Sequence, residues 1–176
     1  MKKKSIVFKS VRALTVSAML TATSVVIGIF CKNFLNFGNG LFRISFENLP
    51  IILSAFLFGP IVGGMVGVAT DLLSYLLSNQ TYPPNLIVTV GALLIGVLSG
   101  LVFRLPLSNR NVRVVLSVSL SHFVGSMIVK SIGLYTYYGM AVLLRLPLYC
   151  AIAAIEAVLL CLLFRQKSFS NLIDKI

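Results

Sequence analysis

Two carboxylates lie within apolar stretches of this sequence, where an ionised side chain needs a polar environment. Asp71 stands inside the run 60–77, and a charge at the centre of a membrane helix costs about 2.5–3.5 kcal/mol on insertion scales. Asp71 therefore faces a pocket or a protein partner, and both structural pairing and ligand contact are open. Glu47 lies at the start of the run 46–58. A helix N-terminus favours an anion, so we expect Glu47 to cap that helix.

Three cations form the second group of candidate site residues. Arg145 follows a tyrosine-rich segment that ends at Tyr138 and lies near the predicted external end of the last apolar run. It either extends to the lipid headgroups or contacts an anionic solute, which a guanidinium can bind in a bidentate manner. Lys130 lies deeper in the preceding run and has the same two alternatives. Arg43, in an external loop, either closes over a bound anion or is solvated.

His122 is the only histidine of the chain and lies on an apolar stretch. A metal site needs several His, Cys or carboxylate ligands at suitable spacing, so we expect a hydrogen-bonded core histidine and no metal. No catalytic triad or carboxylate pair can be assembled, and the phosphate-binding pattern G-x-x-x-x-G-K-[ST] is missing from the sequence. We therefore expect neither an enzymatic activity nor a cofactor.

The composition determines which elements hold these residues. The 176 residues are 58% hydrophobic and only 11% charged, whereas a soluble domain is about half apolar and about a quarter charged. The apolar excess must face lipid, where only helices and closed barrels satisfy the backbone. Barrel strands alternate in polarity and these runs do not. The sequence therefore predicts an all-α integral membrane protein.

Prolines and glycines divide the chain into six apolar runs, and a membrane crossing takes about 20 such residues. Pro60 begins one run, since proline is accommodated in the first turn of a helix. We expect a six-transmembrane-helix bundle that forms one domain over residues 1–176, without a separate soluble part. The predicted spans are approximately 11–30, 46–58, 60–77, 86–103, 114–138 and 141–164.

The formal net charge of +11 is distributed unevenly. Eleven of the fifteen Lys and Arg residues fall on one side of a bundle that crosses six times, which places both termini in the cytoplasm by the positive-inside rule. We expect a multi-pass protein of the cell membrane that retains its first span. Nucleic acid is not an expected partner, because no soluble segment can carry a basic face. The eleven residues are Lys2, Lys3, Lys4, Lys9, Arg12, Arg104, Arg110, Arg113, Arg165, Lys167 and Lys175.

Two further surfaces are candidates for contacts. Ala18 and Ala22 share one face of the first run, and small residues at this spacing pack within a bundle or against another protein. The loop 82–85 is stiff, because two prolines fix φ and restrict the preceding residues. A stiff loop presents side chains with little ordering cost. Tyr82 and Asn85 therefore either form one wall of a binding site or serve only the turn.

Five segments carry a resemblance to a known family: RISFENLPIIL at 43–53, LFGPIVGG at 57–64, VATDL at 68–72, YPPN at 82–85 and GALLIG at 91–96. With them, the chain resembles the substrate-capturing S components of energy-coupling factor (ECF) vitamin transporters, in particular the folate-specific ones. The resemblance implies a six-helix membrane protein that captures a vitamin outside the cell. It would then join a transmembrane coupling subunit and two cytoplasmic ATPases.

The resemblance also implies a pocket near the external face, under the loops after the first, third and fifth spans. Ala18 and Ala22 match the family's small-xxx-small element, which docks on the coupling subunit. The chain has no tryptophan, so stacking on a pterin would fall to Tyr or Phe. The candidate ligand-binding residues are Arg43, Tyr82, Asn85, Lys130, Tyr138 and Arg145, with Glu47, Asp71 and His122 as further polar residues of the pocket or of the bundle.

The sequence hypothesis is thus a folate-binding S component. The nearest alternative is the same scaffold with another vitamin or precursor, such as pantothenate or a hydroxymethylpyrimidine. Two alternatives of other classes are a small membrane enzyme acting on lipid or isoprenoid substrates and a purely structural assembly subunit.

Overall fold

The computed structural model describes residues 11–37, 42–78, 84–107 and 109–166, nearly all of them helical. Four helical stretches among these residues are long and apolar enough to cross a membrane: Val11–Phe34, Pro60–Leu77, Leu86–Phe103 and Arg110–Arg165. The elements in chain order are α1 (Val11–Phe34), β1 (Asn36–Phe37), β2 (Phe42–Arg43), α2 (Asn48–Phe58), α3 (Pro60–Leu77), α4 (Leu86–Phe103), α5 (Arg110–Ser121), a π-helical segment (His122–Lys130), α6 (Ser131–Tyr138), a 3-10 segment (Gly139–Arg145) and α7 (Leu146–Arg165).

The segment between α1 and α2 differs from the polar loop predicted for it. Helix α1 continues to Phe34, past the predicted end at residue 30. A short antiparallel hairpin follows, in which Asn36 pairs with Arg43. The pairing returns the chain towards α1 and brings Arg43 close to the start of α2.

The turn between α2 and α3 follows the sequence signal. Gly59 has a φ of 102°, a conformation that L side chains rarely adopt, and Pro60 occupies the first turn of α3. Proline suits that position because its missing N–H has no partner within the helix. Helix α3 therefore begins directly after α2 ends.

Helices α3 and α4 pack with their backbones in close contact. A Cβ atom added to Gly96 would lie 2.1 Å from the carbonyl oxygen of Gly63, so only glycine fits at this crossing. Small residues permit such an approach, and dispersion then stabilises the helix pair where lipid removes the hydrophobic driving force. Helix α4 also packs against α2, α5 and the π-helical segment, and it forms the centre of the bundle.

The last two predicted spans form one helical stretch, Arg110–Arg165, with a reversal at Gly139. Gly139 has a φ of 56°, with space around its Cα. Residues 139–145 form the 3-10 segment, so α7 begins at Leu146, later than the predicted start at 141. Helix α5 begins at Arg110, four residues before the predicted start.

The apolar core occupies one end of the bundle. The ring of Phe56 stacks on Phe103 with centroids 4.1 Å apart, and Phe164 lies 5.8 Å from each of them. These residues come from the last turns of α2, α4 and α7, and Ala13 from the start of α1 belongs to the same buried cluster. The ends of α2, α4 and α7 thus meet at this end, and the opposite end is left for polar side chains.

Candidate functional site

A cavity of about 780 Å³ lies at the end of the bundle opposite the apolar core. Its wall comes from the last turns of α1 and α3, the segment from β2 to α2, the start of α4, the π-helical segment, α6, the end of the 3-10 segment and the start of α7. Small-molecule sites commonly have volumes of about 300–1,000 Å³. The cavity is thus large enough for a metabolite of the size of a vitamin.

Charged side chains converge on this cavity from five elements. The described part of its wall carries four cations and two carboxylates, which leaves an excess of two positive charges when His122 is counted as neutral. Such an excess inside a bundle favours an anionic ligand, because a partly desolvated cation needs a counter-charge. The cations are Lys32, Arg43, Lys130 and Arg145, and the carboxylates are Glu47 and Asp71.

Glu47 is the centre of an ion network and does not cap α2 through its side chain. It stands before Asn48 at the start of α2, but its carboxylate makes no capping hydrogen bond. Instead, Arg43 Nη2 donates to Glu47 Oε2 over 2.8 Å, and Lys130 Nζ lies 3.8 Å from Oε1. Glu47 thus occupies the N-cap position of α2, but its carboxylate contacts the two cations and makes no capping hydrogen bond.

The carboxylate of Glu47 lies in a tight space beside α1. Gly28 of α1 makes room for the carboxylate, since a Cβ atom there would lie 2.7 Å from Glu47 Oε2. Glu47 thus neutralises much of the charge of Arg43 before any ligand binds.

Lys130 and Lys32 are both held by polar groups of the bundle. Lys130 is buried, and its Nζ is 3.4 Å from Asn48 Oδ1, so it does not extend to the lipid headgroups. Lys32 donates to the carbonyl oxygen of Ser74 and to Ser78 Oγ, each over 3.1 Å. Its charge lies at the C-terminus of α3, where a cation is favoured. Sequence reasoning placed Lys32 in a loop and missed this contact.

Arg145 is buried on the opposite wall, with 7% of its surface exposed. Its Cζ lies 4.8 Å from the ring centroid of Tyr138, a cation–π geometry that also fixes the plane of the guanidinium. This position orients Arg145 into the bundle and away from the headgroups. Among the residues that the structure describes, four tyrosines line the same cavity and offer aromatic faces to a flat ligand: Tyr75, Tyr137, Tyr138 and Tyr149.

Asp71 is paired within the bundle and also lines the cavity. Its Oδ2 accepts a hydrogen bond from Thr89 Oγ1 over 2.7 Å, which links α3 to α4. The other carboxylate oxygen leaves acceptor capacity for a ligand donor. Structural pairing and ligand contact, the two alternatives weighed from the sequence, are therefore compatible.

The side-chain amide of Asn85 has structural partners on both sides. Its Oδ1 accepts from the backbone N–H of Ile87 at 3.0 Å and so caps α4, and its Nδ2 donates to the carbonyl oxygen of Gly133 at 2.7 Å. The second bond ties the start of α4 to α6. Asn85 lines the cavity, yet most of its hydrogen-bonding capacity is used by bonds to the protein backbone.

We predict that Asn85→Ala lowers the free energy of unfolding by about 0.5–2 kcal/mol, because the cap of α4 is lost. Asn85→Asp keeps the acceptor for the Ile87 N–H and should be less destabilising. Thermal unfolding of the purified protein in detergent measures both, with Val90→Ala on the exposed face of α4 as the control. An unchanged midpoint for Asn85→Ala would contradict the structural role.

His122 and Glu156 form a buried pair at the base of the cavity, and only His122 was identified from the sequence. His122, which lines the cavity, lies 2.7 Å through Nε2 from Glu156 Oε2 of α7, and both side chains are almost fully buried. Its Nδ1 lies 3.3 Å from Ser126 Oγ. His122 is thus a hydrogen-bonded core histidine, as predicted. Glu156 was not singled out, although a carboxylate within the run 141–164 is the same signal that identified Asp71.

The remaining candidates fall outside the cavity or outside the described residues. Ala18 and Ala22 are exposed on α1, and Tyr82 lies outside the residues that the structure describes. Within residues 11–37, 42–78, 84–107 and 109–166, no three His, Cys, Asp or Glu side chains are grouped so that they could hold a metal ion.

Comparison with known proteins identifies a family and a similar fold. The family model for the substrate-specific component of ECF transporters matches residues 12–172. The fold is similar to the crystal structure of FolT bound with folic acid, with a TM-score of 0.68, 21% sequence identity and coverage of 95% of each chain. At that identity, the likeness establishes a shared fold. No curated protein matches this sequence.

Proposed function

We propose that this chain, which belongs to the family of substrate-specific components of ECF transporters, captures folate at the outer face of the cell membrane for uptake. Folate consists of a flat pterin, a linker and a glutamate with two carboxylates. The cavity offers this ligand aromatic faces and an excess of two positive charges. That charge excess beside four tyrosines is the observation that carries the proposal.

The charge balance favours a dianion over the alternatives. Two ligand carboxylates would neutralise the excess, whereas pantothenate supplies one carboxylate and a hydroxymethylpyrimidine supplies none. Arg145, with Lys130 or Arg43, would bind the glutamate moiety, since a guanidinium–carboxylate contact is strong in a partly desolvated site. Tyr138 and Tyr82 would stack on the pterin. Asn85 would hydrogen-bond the edge of the pterin through the donor and acceptor positions that its backbone partners leave free.

The proposed topology has six crossings with both termini in the cytoplasm. The 56-residue stretch Arg110–Arg165 is far longer than the roughly 20 residues of one crossing, and its reversal at Gly139 supports two. The short, buried helix α2 would return the chain between α1 and α3. Five of the nine Lys and Arg residues that the structure describes lie at the helix ends that share the apolar core, and by the positive-inside rule this end would be cytoplasmic: Arg12, Arg104, Arg110, Arg113 and Arg165.

Energy for uptake would come from partner subunits: a transmembrane coupling subunit and two ATPases. The sequence has no phosphate-binding loop of its own. The exposed Ala18 and Ala22 of α1 form a flat surface suited to close helix packing against the coupling subunit. We propose a binding role without enzymatic activity, and product formation in lipid extracts without added ATPases would contradict it.

Direct binding tests the choice of ligand. Purified protein should bind radiolabelled folate saturably, and excess unlabelled folate should displace it while pantothenate and hydroxymethylpyrimidine should not. Mass spectrometry of solutes that co-purify with the protein gives an independent readout. Displacement of folate by pantothenate at an equal or lower concentration would contradict folate as the ligand. The assignment to the S-component family would stand, because only the choice of anion from the charge balance would be wrong.

A further inference from the structure

A second large cavity lies on the outer surface of the bundle between α7 and the stretch formed by α5 and the π-helical segment, with a volume of about 1150 Å³. It shares no lining residue with the cationic cavity. Its walls are mainly apolar and include Leu116, Leu120 and Phe123 on one side and Ala154 and Val158 on the other. We refer to it as the α5–α7 groove.

The shape of the α5–α7 groove matches one leaflet of a bilayer. The apolar part of its lining runs from Val115 to Met127 along one wall, which corresponds to about 18 Å of helix. Half of a hydrocarbon core of about 30 Å is similar in length. The large side chains remain open to the surroundings, with Phe123 at 54% and Val158 at 58% exposure. The small side chain of Ala154 on α7 keeps the groove open.

The charge of the α5–α7 groove is confined to one end. Arg165, at the end of α7, lines the groove together with Asn111 from the first turn of α5. The carboxylates within the described residues are Glu47, Asp71 and Glu156, and none of them lines the groove. An apolar channel with a cation at one end matches an acyl chain attached to an anionic headgroup.

We propose that the α5–α7 groove binds an anionic phospholipid, with one acyl chain between α5 and α7 and the phosphate at Arg165. The inference is independent of the vitamin that the cationic cavity takes. A bound lipid would occupy this groove, and it would stabilise the bundle by mass action.

Native mass spectrometry of the purified protein tests the proposal with two probes that share the same acyl chains, palmitoyl-oleoyl phosphatidylglycerol and palmitoyl-oleoyl phosphatidylcholine. We expect one phosphatidylglycerol to be retained, with about tenfold preference over phosphatidylcholine. Arg165→Gln should abolish this preference. Ala154→Phe should reduce retention of both lipids by filling the groove, and Ser119→Phe tests the opposite wall if the first variant does not fold.

Two exposed residues outside the groove provide matched controls. Arg12→Gln removes a cation from α1, and Ile155→Phe adds the same ring beside Ala154 on the lipid-facing surface; neither should change lipid retention. Equal retention of the two lipids, or retention that is unaffected by Arg165→Gln and by the groove-filling variants, would overturn the proposal. It would also be overturned if Ala154→Phe spared lipid binding but prevented association with the coupling subunit, which would make the groove a protein interface.

Discussion

His122→Leu and Glu156→Leu should each destabilise the protein by about 3–5 kcal/mol, whereas the double variant should recover much of that loss. The two side chains are 2.7 Å apart and 1% and 0% exposed. Removal of one partner leaves a buried polar group without compensation, which is far costlier than replacement of the pair by apolar residues of similar volume.

The thermal midpoint in detergent measures this effect, and Ile155→Leu on the lipid-facing side of α7 is the control. Glu156→Gln keeps a hydrogen-bonding group opposite His122 and should lie between the wild type and Glu156→Leu. A double variant as unstable as the sum of the single variants would contradict the pairing, since residues that interact give non-additive effects. Folate affinity in the double variant then shows whether His122 also contacts the ligand.

Arg145→Ala should weaken folate binding by about 30-fold or more, which corresponds to about 2 kcal/mol. The guanidinium is buried and lies over Tyr138, so it is held in one orientation before the ligand arrives. A preorganised cation loses little entropy on binding a carboxylate. Its removal would leave a ligand carboxylate desolvated without its proposed partner.

Equilibrium binding of radiolabelled folate measures the change. Arg145→Lys keeps the charge but not the planar fork, and it should have an intermediate affinity. Arg12→Gln, which removes a cation outside the cavity, should bind as the wild type does. An unchanged affinity for Arg145→Ala would remove Arg145 from the site, and unchanged uptake would favour the alternative of a structural assembly subunit.

The local features of the fold were accessible from the sequence. Helix α3 occupies Pro60–Leu77 and α4 occupies Leu86–Phe103, the ranges expected from the apolar runs. Proline and glycine act on the residues next to them, so the α2–α3 turn could be placed from the pair Gly59 and Pro60. The resemblance to ECF substrate-specific components is confirmed by the family model over residues 12–172.

Features that depend on distant parts of the chain were not accessible in the same way. The hairpin after α1 and the 3-10 segment before α7 are absent from the predicted spans, because hydropathy does not report how a polar segment folds back. Glu47 was assigned to helix capping since its sequence neighbours favour it. Its carboxylate instead forms ion pairs with Arg43 and with Lys130, which lies 83 positions further along the chain.

The charges illustrate how far the sequence alone reaches. Eleven of the fifteen basic residues follow the positive-inside pattern, and the remaining four, Lys32, Arg43, Lys130 and Arg145, all line one cavity. Composition and hydropathy determined that the chain is a helical membrane protein and that charges within its apolar runs need partners, because the cost of a charge in lipid acts at each residue separately. Which charges meet was decided only by the packing of the helices. Helix rotation and the close approach of α3 and α4 at Gly63 and Gly96 set the distances between side chains that are far apart in sequence.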